Sequence, residues 1–237
     1  MDFLENKIFD IISKTAEEQG IRAFVIGGYV RDSFLQRPCT DIDIVAEGSG
    51  IELAQGVAKK VKSKVSVFKN FGTAMLKYHG LEVEFVGARK ESYRADSRKP
   101  IVEDGTLKED QERRDFTINA LAFSLQRKDY GNLIDPFGGV ADLQNGLIRT
   151  PLDPNITYSD DPLRMIRAIR FAAQLQFTIV PESLASIKKN KKRLQILSRE
   201  RIAEELNKIL MTSKPSIGLQ LLQDTELLRQ FIPQISN

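Results

Sequence analysis

The sequence predicts an α/β domain built on a mixed sheet, followed by a part that is helical throughout. Short strand-like apolar runs alternate with helical patterns over the first 150 residues. Three successive strand candidates in that part are separated only by turn residues, which requires an antiparallel portion of the sheet. From residue 160 onward, apolar residues recur only with the helical period. We therefore place a domain boundary near residue 150, between domains over 1–150 and 151–237.

The elements of the first domain are predicted from periodicity and from turn residues. Gly20 ends the first helix, and His79 with Gly80 is predicted to form a hairpin turn. A polar, charged segment over 89–112 is predicted to be a mobile loop, and the stretch over 130–155, rich in Gly and Pro, a connector. The predicted elements are helix 3–19, strand 22–26, helix 29–36, strand 41–46, helix 50–60, strands 64–69, 73–78 and 82–88, and helix 113–124.

Composition restricts the class of protein. Of the 237 residues, 41% are hydrophobic and 28% are charged, which is typical of a globular protein. The apolar runs are far shorter than the roughly 20 residues of a membrane-spanning helix, and the acidic start lacks the form of a signal peptide. We therefore expect a cytoplasmic protein with no membrane partner. The chain has one cysteine, Cys39, so an internal disulfide is excluded. It has one histidine, His79, which argues against a His-dependent triad or a zinc site built on His and Cys.

The charge is unevenly distributed along the chain. The net charge is only +3, but nine basic and four acidic residues lie between Pro181 and Lys214. Five of the basic residues fall within 188–193. Such a run is either a solvated helix face or a surface that contacts the phosphate backbone of a nucleic acid.

Two carboxylates lie two residues apart in the predicted strand over 41–46. Alternate residues of a strand point to opposite faces, so Asp41 and Asp43 share one face and repel each other. Glu82 and Glu84 repeat the arrangement in a second strand. If the two strands bring their acidic faces together, the product is an oxygen-lined site for Mg²⁺, of the kind used in two-metal phosphoryl or nucleotidyl transfer. The alternative is that all four are solvent-facing acids of amphipathic strands.

A glycine pair precedes the acidic strand. Gly27 and Gly28 lie where a predicted strand ends and a helix begins, which lets the backbone approach a phosphate group. Arg31, in the same helix, can fork onto phosphate oxygens. A triphosphate site beside a metal site is the arrangement of a nucleotidyltransferase.

These segments and several later ones resemble the successive motifs of one family. Together they are similar to those of the class II tRNA nucleotidyltransferases, the CCA-adding enzymes, which are grouped with bacterial poly(A) polymerases in the DNA polymerase β superfamily. The resemblance implies a polymerase β-like head followed by an all-α neck, with Mg²⁺, CTP, ATP and the tRNA 3′ end as cofactor, substrates and partner. The motifs are GGYVRD and DIDIV, RRDFTINALAF, DPFGGVADLQNGLIRT, DDPLRMIRAIRF and SRERIAEEL.

The resemblance also implies roles for individual residues of the head. Asp41 and Asp43 would hold Mg²⁺, and Glu84, with Glu82 as its competitor, would complete the site or help to activate the primer hydroxyl. The triphosphate would be held by Gly27, Gly28 and Arg31. Arg114 would contact the nucleotide, and Asp115 and Asn119 would lie near its ribose. The alternative for Asp115 is an N-cap of the predicted helix that follows it.

In the second domain, the resemblance implies a protein template for the incoming base. Asp161 and Arg164 would hydrogen-bond the Watson–Crick edge of C or A, since Asp accepts from the exocyclic amine that both bases carry. Arg167 and Arg170 would support the triphosphate or the template, and none of the three arginines is expected in the core. The alternative is that Asp161 caps a helix whose first residue is Pro162.

The expected function is addition of CCA to the tRNA 3′ end. Poly(A) polymerase, partial CC- or A-addition and a catalytically inactive RNA-binding module remain alternatives. In this family a full-length flexible loop is associated with the switch to A, so the predicted loop over 89–112 favours complete CCA addition over CC-addition. Family members usually continue through further helical regions that grip the tRNA, and we expect such a C-terminal region to be missing here.

Overall fold

The structure is a computed structural model, which describes residues 3–94, 97–232 and 234. The chain forms two compact units. The first unit comprises residues 1–90, 102–114 and 118–140, and the second comprises 91–101, 115–117 and 141–237. No helix in the described part of the chain is long and apolar enough to cross a membrane.

The described residues form short helices and strands in the predicted alternation. The helices are α1 (Lys7–Gln19), α2 (Gly28–Phe34), α3 (Gly50–Val61), α4 (Leu107–Glu112), α5 (Gly139–Asn145), α6 (Pro154–Asp160), α7 (Leu163–Leu175), α8 (Pro181–Asn190), α9 (Arg199–Leu210), α10 (Pro215–Asp224) and α11 (Leu228–Phe231). The strands are β1 (Arg22–Ile26), β2 (Asp41–Glu47), β3 (Val65–Phe68), β4 (Thr73–Tyr78), β5 (Leu81–Gly87), β6 (Arg89–Arg94), β7 (Ser97–Asp104), β8 (Ala122–Ser124), β9 (Leu133–Ile134), β10 (Leu147–Ile148) and β11 (Thr178–Ile179).

Seven strands of the first unit form one mixed sheet, in the order β3-β4-β5-β2-β1-β8-β9. Strand β2 lies at its centre and pairs antiparallel with β1 and parallel with β5. The alternation predicted for β2 is observed, because Ile42, Ile44 and Ala46 are buried on one face, while Asp41 is exposed on the other. The predicted α/β fold class, with a mixed sheet and a later helical region, is confirmed.

The predicted hairpin turn at His79 and Gly80 is also confirmed. His79 and Gly80 have φ values of 47° and 85° and join β4 to β5, where Tyr78 pairs with Leu81. Two successive residues with positive φ are the mark of a type I′ hairpin turn. Helix α1, by contrast, begins at Lys7 rather than at residue 3, since the side chain of Asn6 accepts a hydrogen bond from the backbone N–H of Ile8 at 3.0 Å and so caps the helix.

The prediction of a mobile loop over 89–112 is wrong. Strands β6 and β7 form a two-stranded ribbon, and helix α4 follows it. Thr106 caps α4 through a capping box with Glu109, and the N–H of Gly105 donates to the carbonyl of Ala88 at 2.9 Å at the base of the ribbon. A ribbon is held by its backbone and tolerates polar side chains on both faces, so the charged composition was a misleading signal. Residues 95 and 96 lie outside the described part.

The predicted helix over 113–124 is also wrong. Residues Thr117–Asn119 form a single 3₁₀ turn, and strand β8 then pairs with β1, with Val25 opposite Phe123. The residues from Ile118 to Leu125 are all buried. A short run buried on all sides has no period that separates a strand from a helix, so tertiary pairing decided the outcome.

The second unit is mainly helical, as predicted. Helix α7 is its most buried element and packs against α9 and α10. One departure is the two-residue strand β11, which pairs in parallel with β10. The predicted connector over 130–155 is likewise not structureless, since it contains β9, α5 and β10.

Candidate active site

Four carboxylates share one face of the sheet in the first unit. Strands β2 and β5 are parallel and in register, with Asp41 beside Glu82 and Asp43 beside Glu84. The acidic faces of the two strands therefore meet, as the alternation predicted. Burial, and then the charges of Asp41 and Asp110, raise the pKa of Asp43, while the guanidinium of Arg114 opposes this shift.

Glu84 and Glu82 lie in different surroundings. Partial burial and the charge of Asp43 raise the pKa of Glu84, and a hydrogen bond from the hydroxyl of Thr73 opposes this. Glu82 instead forms an ion pair with Lys77 at 2.8 Å. Of the two candidates for the third acid, Glu84 is therefore the one that interacts electrostatically with Asp43. Within residues 3–94, 97–232 and 234, however, no group of three or more His, Cys, Asp or Glu side chains is arranged so that it could hold a metal ion.

Gly27 lies directly before α2 and close to Asp43, in a backbone conformation that favours glycine. Its φ and ψ values are 81° and −129°, a region that L side chains rarely adopt. A Cβ atom here would lie 2.9 Å from Nη1 of Arg114 and 3.3 Å from Oδ2 of Asp43. Gly27 thus allows an acid and an arginine from distant parts of the chain to approach the first turn of α2, which begins at Gly28.

Arg31 is buried, and its guanidinium is held by protein groups. It donates to both carboxylate oxygens of Asp32, at 2.9 and 2.7 Å, and to Oδ1 of Asn119 at 2.7 Å. The structure therefore brings two predicted site residues, Arg31 and Asn119, together. Asp32 was missed, although its position beside an arginine that needs a partner was a usable signal.

Arg114 is anchored by Asp110. Its Nε donates to Oδ2 of Asp110 at 3.3 Å, and its Nη1 donates to the carbonyl of Asn119 at 3.3 Å. Asp110 is fully buried and also accepts from Arg113. Sequence reasoning missed Asp110 because its segment was taken for a loop. The i, i+4 spacing from Asp110 to Arg114 would have indicated the pair on a helix.

Asp115, the first residue after Arg114, belongs to the second unit. Its Oδ2 accepts from Nε of Arg167 at 2.8 Å and also from Nη2, and its Oδ1 accepts from the N–H of Phe116. The charge of Asp115 raises the pKa of Arg167. The alternative that Asp115 caps an α-helix is wrong, because only a 3₁₀ turn follows. Two predicted nucleotide contacts therefore form an ion pair with each other.

Asp161 lies between α6 and α7 and caps the second of these helices. Its Oδ1 accepts from the N–H of Leu163 at 3.1 Å, and its carbonyl accepts from the N–H of Arg164 at 3.0 Å. The capping alternative is thus confirmed for one carboxylate oxygen. Arg164 is only 9% exposed, so the expectation that it lies outside the core is wrong.

Arg170 links two helices of the second unit. Its Nε donates to Oε2 of Glu205 on α9 at 2.7 Å, and its guanidinium lies 4.0 Å from the centre of the Phe171 ring. Glu205 is 3% exposed and also pairs with Lys208. Burial lowers the pKa of Arg170, and the charge of Glu205 opposes this shift. Arg170 therefore connects α7 to α9. Sequence reasoning missed its partner, Glu205.

The basic stretch 188–193 divides into two groups. Lys191 pairs with Glu226 at 2.7 Å, and Nε of Arg193 donates to the carbonyl of Ser159. Lys188, Lys189 and Lys192 are exposed. For these three lysines, both interpretations remain: a solvated helix face, or a surface that contacts the phosphate backbone of a nucleic acid.

The mixed sheet with in-register carboxylates and a glycine-opened helix defines a nucleotidyltransferase head, and solved structures agree. A tRNA nucleotidyltransferase complexed with a primer tRNA and an incoming ATP analog has a TM-score of 0.83 and 37% identity, covering 93% of this chain and 62% of that chain. An apo form of a CCA-adding enzyme has a TM-score of 0.88 and 34% identity, covering 96% of this chain and 54% of that chain.

The sequence profile described as "Poly A polymerase head domain" matches residues 23–149. The chain therefore belongs to the poly(A) polymerase family of nucleotidyltransferases. A second profile, described as "Probable RNA and SrmB- binding site of polymerase A", matches residues 176–237.

Curated relatives are tRNA nucleotidyltransferases of two kinds. The A-adding tRNA nucleotidyltransferase of Aquifex aeolicus is 41% identical over 203 residues, covering 86% of this chain and 24% of the relative. The CCA-adding enzyme of Ligilactobacillus salivarius is 40% identical over 223 residues, covering 93% of this chain and 53% of the relative. The chain thus spans about a quarter of the length of the first relative and about half of the length of the second.

Proposed function

We propose that this chain is the catalytic part of a template-independent nucleotidyltransferase that adds C, C and A to the 3′ end of tRNA from CTP and ATP. The observation that carries the proposal is the register of β2 and β5, which sets Asp43 beside Glu84 on one sheet face. CCA-adding enzymes among the relatives support the choice of reaction. By the same analogy, we place the protein in the cytoplasm.

Two Mg²⁺ ions held by these carboxylates would neutralise phosphate charge and help to ionise the attacking hydroxyl. Asp41 and Asp43 would hold them, because hard oxygen donors are the ligands that Mg²⁺ prefers. The raised pKa of Asp43 reflects a buried carboxylate beside like charges, an arrangement that a cation would stabilise. Glu84 would complete the site or accept the proton of the primer hydroxyl, for which its raised pKa suits it.

The remaining residues would bind the nucleotide. Gly27 and Gly28 would let the backbone approach the triphosphate at the start of α2, where Arg114 also lies close to Asp43. Arg31 would fix Asn119 towards the ribose through their hydrogen bond.

In the second unit, one oxygen of Asp161 is used for capping, so its other oxygen would accept from the exocyclic amine of C or A. Arg164 would donate to the same base edge. Arg167 would orient Asp115 towards the ribose through their ion pair. Arg170 would act on the template indirectly, by fixing α7 against α9.

A-addition alone is the second candidate, since two of the relatives are A-adding tRNA nucleotidyltransferases, from Aquifex aeolicus and Geobacter sulfurreducens. The predicted flexible loop over 89–112 favoured complete CCA addition. That argument no longer holds, because the segment forms a two-stranded ribbon and helix α4.

The test uses a tRNA transcript without its 3′ CCA, incubated with Mg²⁺ and with CTP, ATP or both. Two additions with CTP and a third only with ATP are expected. A single A added only to a transcript that already ends in CC would indicate A-addition, and a long ladder with ATP alone would indicate a poly(A) polymerase. Asp41→Ala should abolish addition, whereas Asp10→Ala, which removes an exposed acid of α1, should not.

A further inference from the structure

Two phenylalanines of the first unit, three positions apart in the chain, are exposed to solvent. Phe68 ends β3 with 45% of its surface exposed, and Phe71 lies in the following turn with 71% exposed. The other exposed large hydrophobic residues of the described chain are aliphatic. Exposed aromatic groups of this kind mark binding surfaces more often than exposed aliphatic residues do.

The strand register places Phe68 on the acidic face of the sheet. Phe68 pairs with Thr73 on β4, and Thr73 pairs with Val86 on β5, two residues after Glu84. Paired residues of antiparallel strands share a face, and so do residues two apart on a strand. Phe68, Thr73 and Glu84 therefore lie on one face, and Thr73 hydrogen-bonds the Glu84 carboxylate. Two strand spacings, about 10 Å, separate β3 from β5.

The same region is positively charged. Lys69 lies between the two phenylalanines, Lys64 precedes β3, and both lysines are exposed. Lys77 lies on the face of Thr73 as well, although Glu82 neutralises it. Flat aromatic groups with interspersed cations bind single-stranded nucleic acid, since the rings stack on bases and the cations contact phosphates.

We propose that Phe68 and Phe71 form a stacking platform for unpaired bases at the 3′ end of the acceptor RNA, with Lys69 contacting its backbone. This rests on the proposed function, in which the 3′-terminal hydroxyl must reach the face of Asp43 and Glu84. The platform holds the strand beside that face and leaves the nucleotide contacts to other residues.

The competing explanation is contact between two copies of the chain. Strand β3 is an edge strand of the seven-stranded sheet, and edge strands with exposed apolar groups can pair with another chain. The two explanations differ in what they require of the side chain. Stacking needs a flat ring, whereas an apolar contact tolerates leucine.

The experiment uses an RNA hairpin whose single-stranded 3′ end carries 2-aminopurine, a base that loses fluorescence when it stacks. The wild-type chain should quench it, and the Phe68→Leu/Phe71→Leu variant should not. The KM for RNA should rise about 5- to 100-fold in that variant, with kcat at saturating RNA within about 3-fold. A blunt duplex should bind both equally, and Lys69→Gln should lower the salt slope of binding by about 1. The matched control is Leu210→Ala/Met211→Ala, which removes exposed aliphatic groups of α9 and its end.

The outcomes separate this inference from the proposed function. Nucleotide addition with the same KM and quenching in the double leucine variant would overturn the platform and leave the function standing. Quenching that depends on the phenylalanines, without nucleotide addition by the wild-type chain, would support the platform and overturn the function. A dimer seen by light scattering that Phe68→Ala/Phe71→Ala dissociates but Phe68→Leu/Phe71→Leu does not, with an unchanged KM for RNA, would replace the platform with a contact between copies.

Discussion

Asp43 and Glu84 lie side by side on parallel strands, at the same level of the sheet. Burial raises the pKa of both carboxyls, and the charge of Asp43 raises the pKa of Glu84 further. Their neighbours Asp41 and Glu82 repeat the pair one step along, but Glu82 is neutralised by Lys77. The two glutamates therefore make a matched pair for mutation.

Replacing Glu84 should impair catalysis much more than replacing Glu82. We expect Glu84→Gln to lower the rate of single-turnover nucleotide addition by about 100-fold or more, the range of a group that assists proton transfer. Glu82→Gln should change the rate less than about 3-fold, since an exposed ion pair contributes little. If both variants kept the wild-type rate, neither glutamate would be the third acid.

Asp43→Asn should remove the thermal response to Mg²⁺. In the wild-type chain, bound Mg²⁺ should raise the melting temperature, as any ligand of the folded state does. The variant should lose this rise, and without Mg²⁺ it should be at least as stable as the wild type, because a buried charge beside Asp41 has been removed. Differential scanning fluorimetry over a Mg²⁺ titration measures both. Asp10→Asn is the control, and a full Mg²⁺ response in Asp43→Asn would rule out this ligand.

Gly27→Ala should destabilise the chain more than Gly20→Ala. Both glycines have positive φ, but a Cβ at Gly20 meets nothing within 4 Å, whereas one at Gly27 meets Arg114 and Asp43. We expect Gly20→Ala to cost about 1 kcal/mol and Gly27→Ala about 2–3 kcal/mol in the free energy of unfolding. Urea denaturation compares the two, and equal costs would show that the crowding at Gly27 relaxes without penalty.

Glu205→Ala should destabilise the second unit by about 3 kcal/mol, because it leaves the charge of Arg170 buried without its carboxylate. The adjacent Glu204 is exposed, so Glu204→Ala should cost less than about 0.5 kcal/mol. Combining Arg170→Met with Glu205→Leu should restore part of the loss. Chemical denaturation tests this, and a cost for Glu205→Ala as small as that for Glu204→Ala would mean that the pair contributes no stability.

Capping and base selection by Asp161 can be separated by substitution. Serine also caps helices, so Asp161→Ser should keep stability within about 0.5 kcal/mol, whereas Asp161→Ala should lose about 1 kcal/mol. Both should lose discrimination for CTP and ATP over UTP and GTP, since neither provides the carboxylate oxygen. Competition assays with pairs of nucleotides measure this. If Asp161→Ser still preferred CTP and ATP over UTP and GTP, Asp161 would cap the helix and would not select the base.

Much of the first unit follows from local patterns in the chain. Strand β1 has the predicted bounds, β2 shows the predicted alternation, and the turn at His79 and Gly80 joins two predicted strands. Each of these depends on residues within a few positions of one another, because side-chain period and turn conformation are local properties. The sequence by itself therefore determined that Asp41 and Asp43 share a face.

Only the tertiary structure decided what those residues contact. The helix predicted over 113–124 is instead a 3₁₀ turn and strand β8, because a short run buried on all sides has no period and the pairing of β8 with β1 is not local. For the same reason, the bond from Arg31 to Asn119, 88 positions apart, and that from Arg170 to Glu205, 35 positions apart, have no signal in spacing. A buried arginine must find a carboxylate or carbonyl partner, but the packing of distant elements alone determines which one it finds.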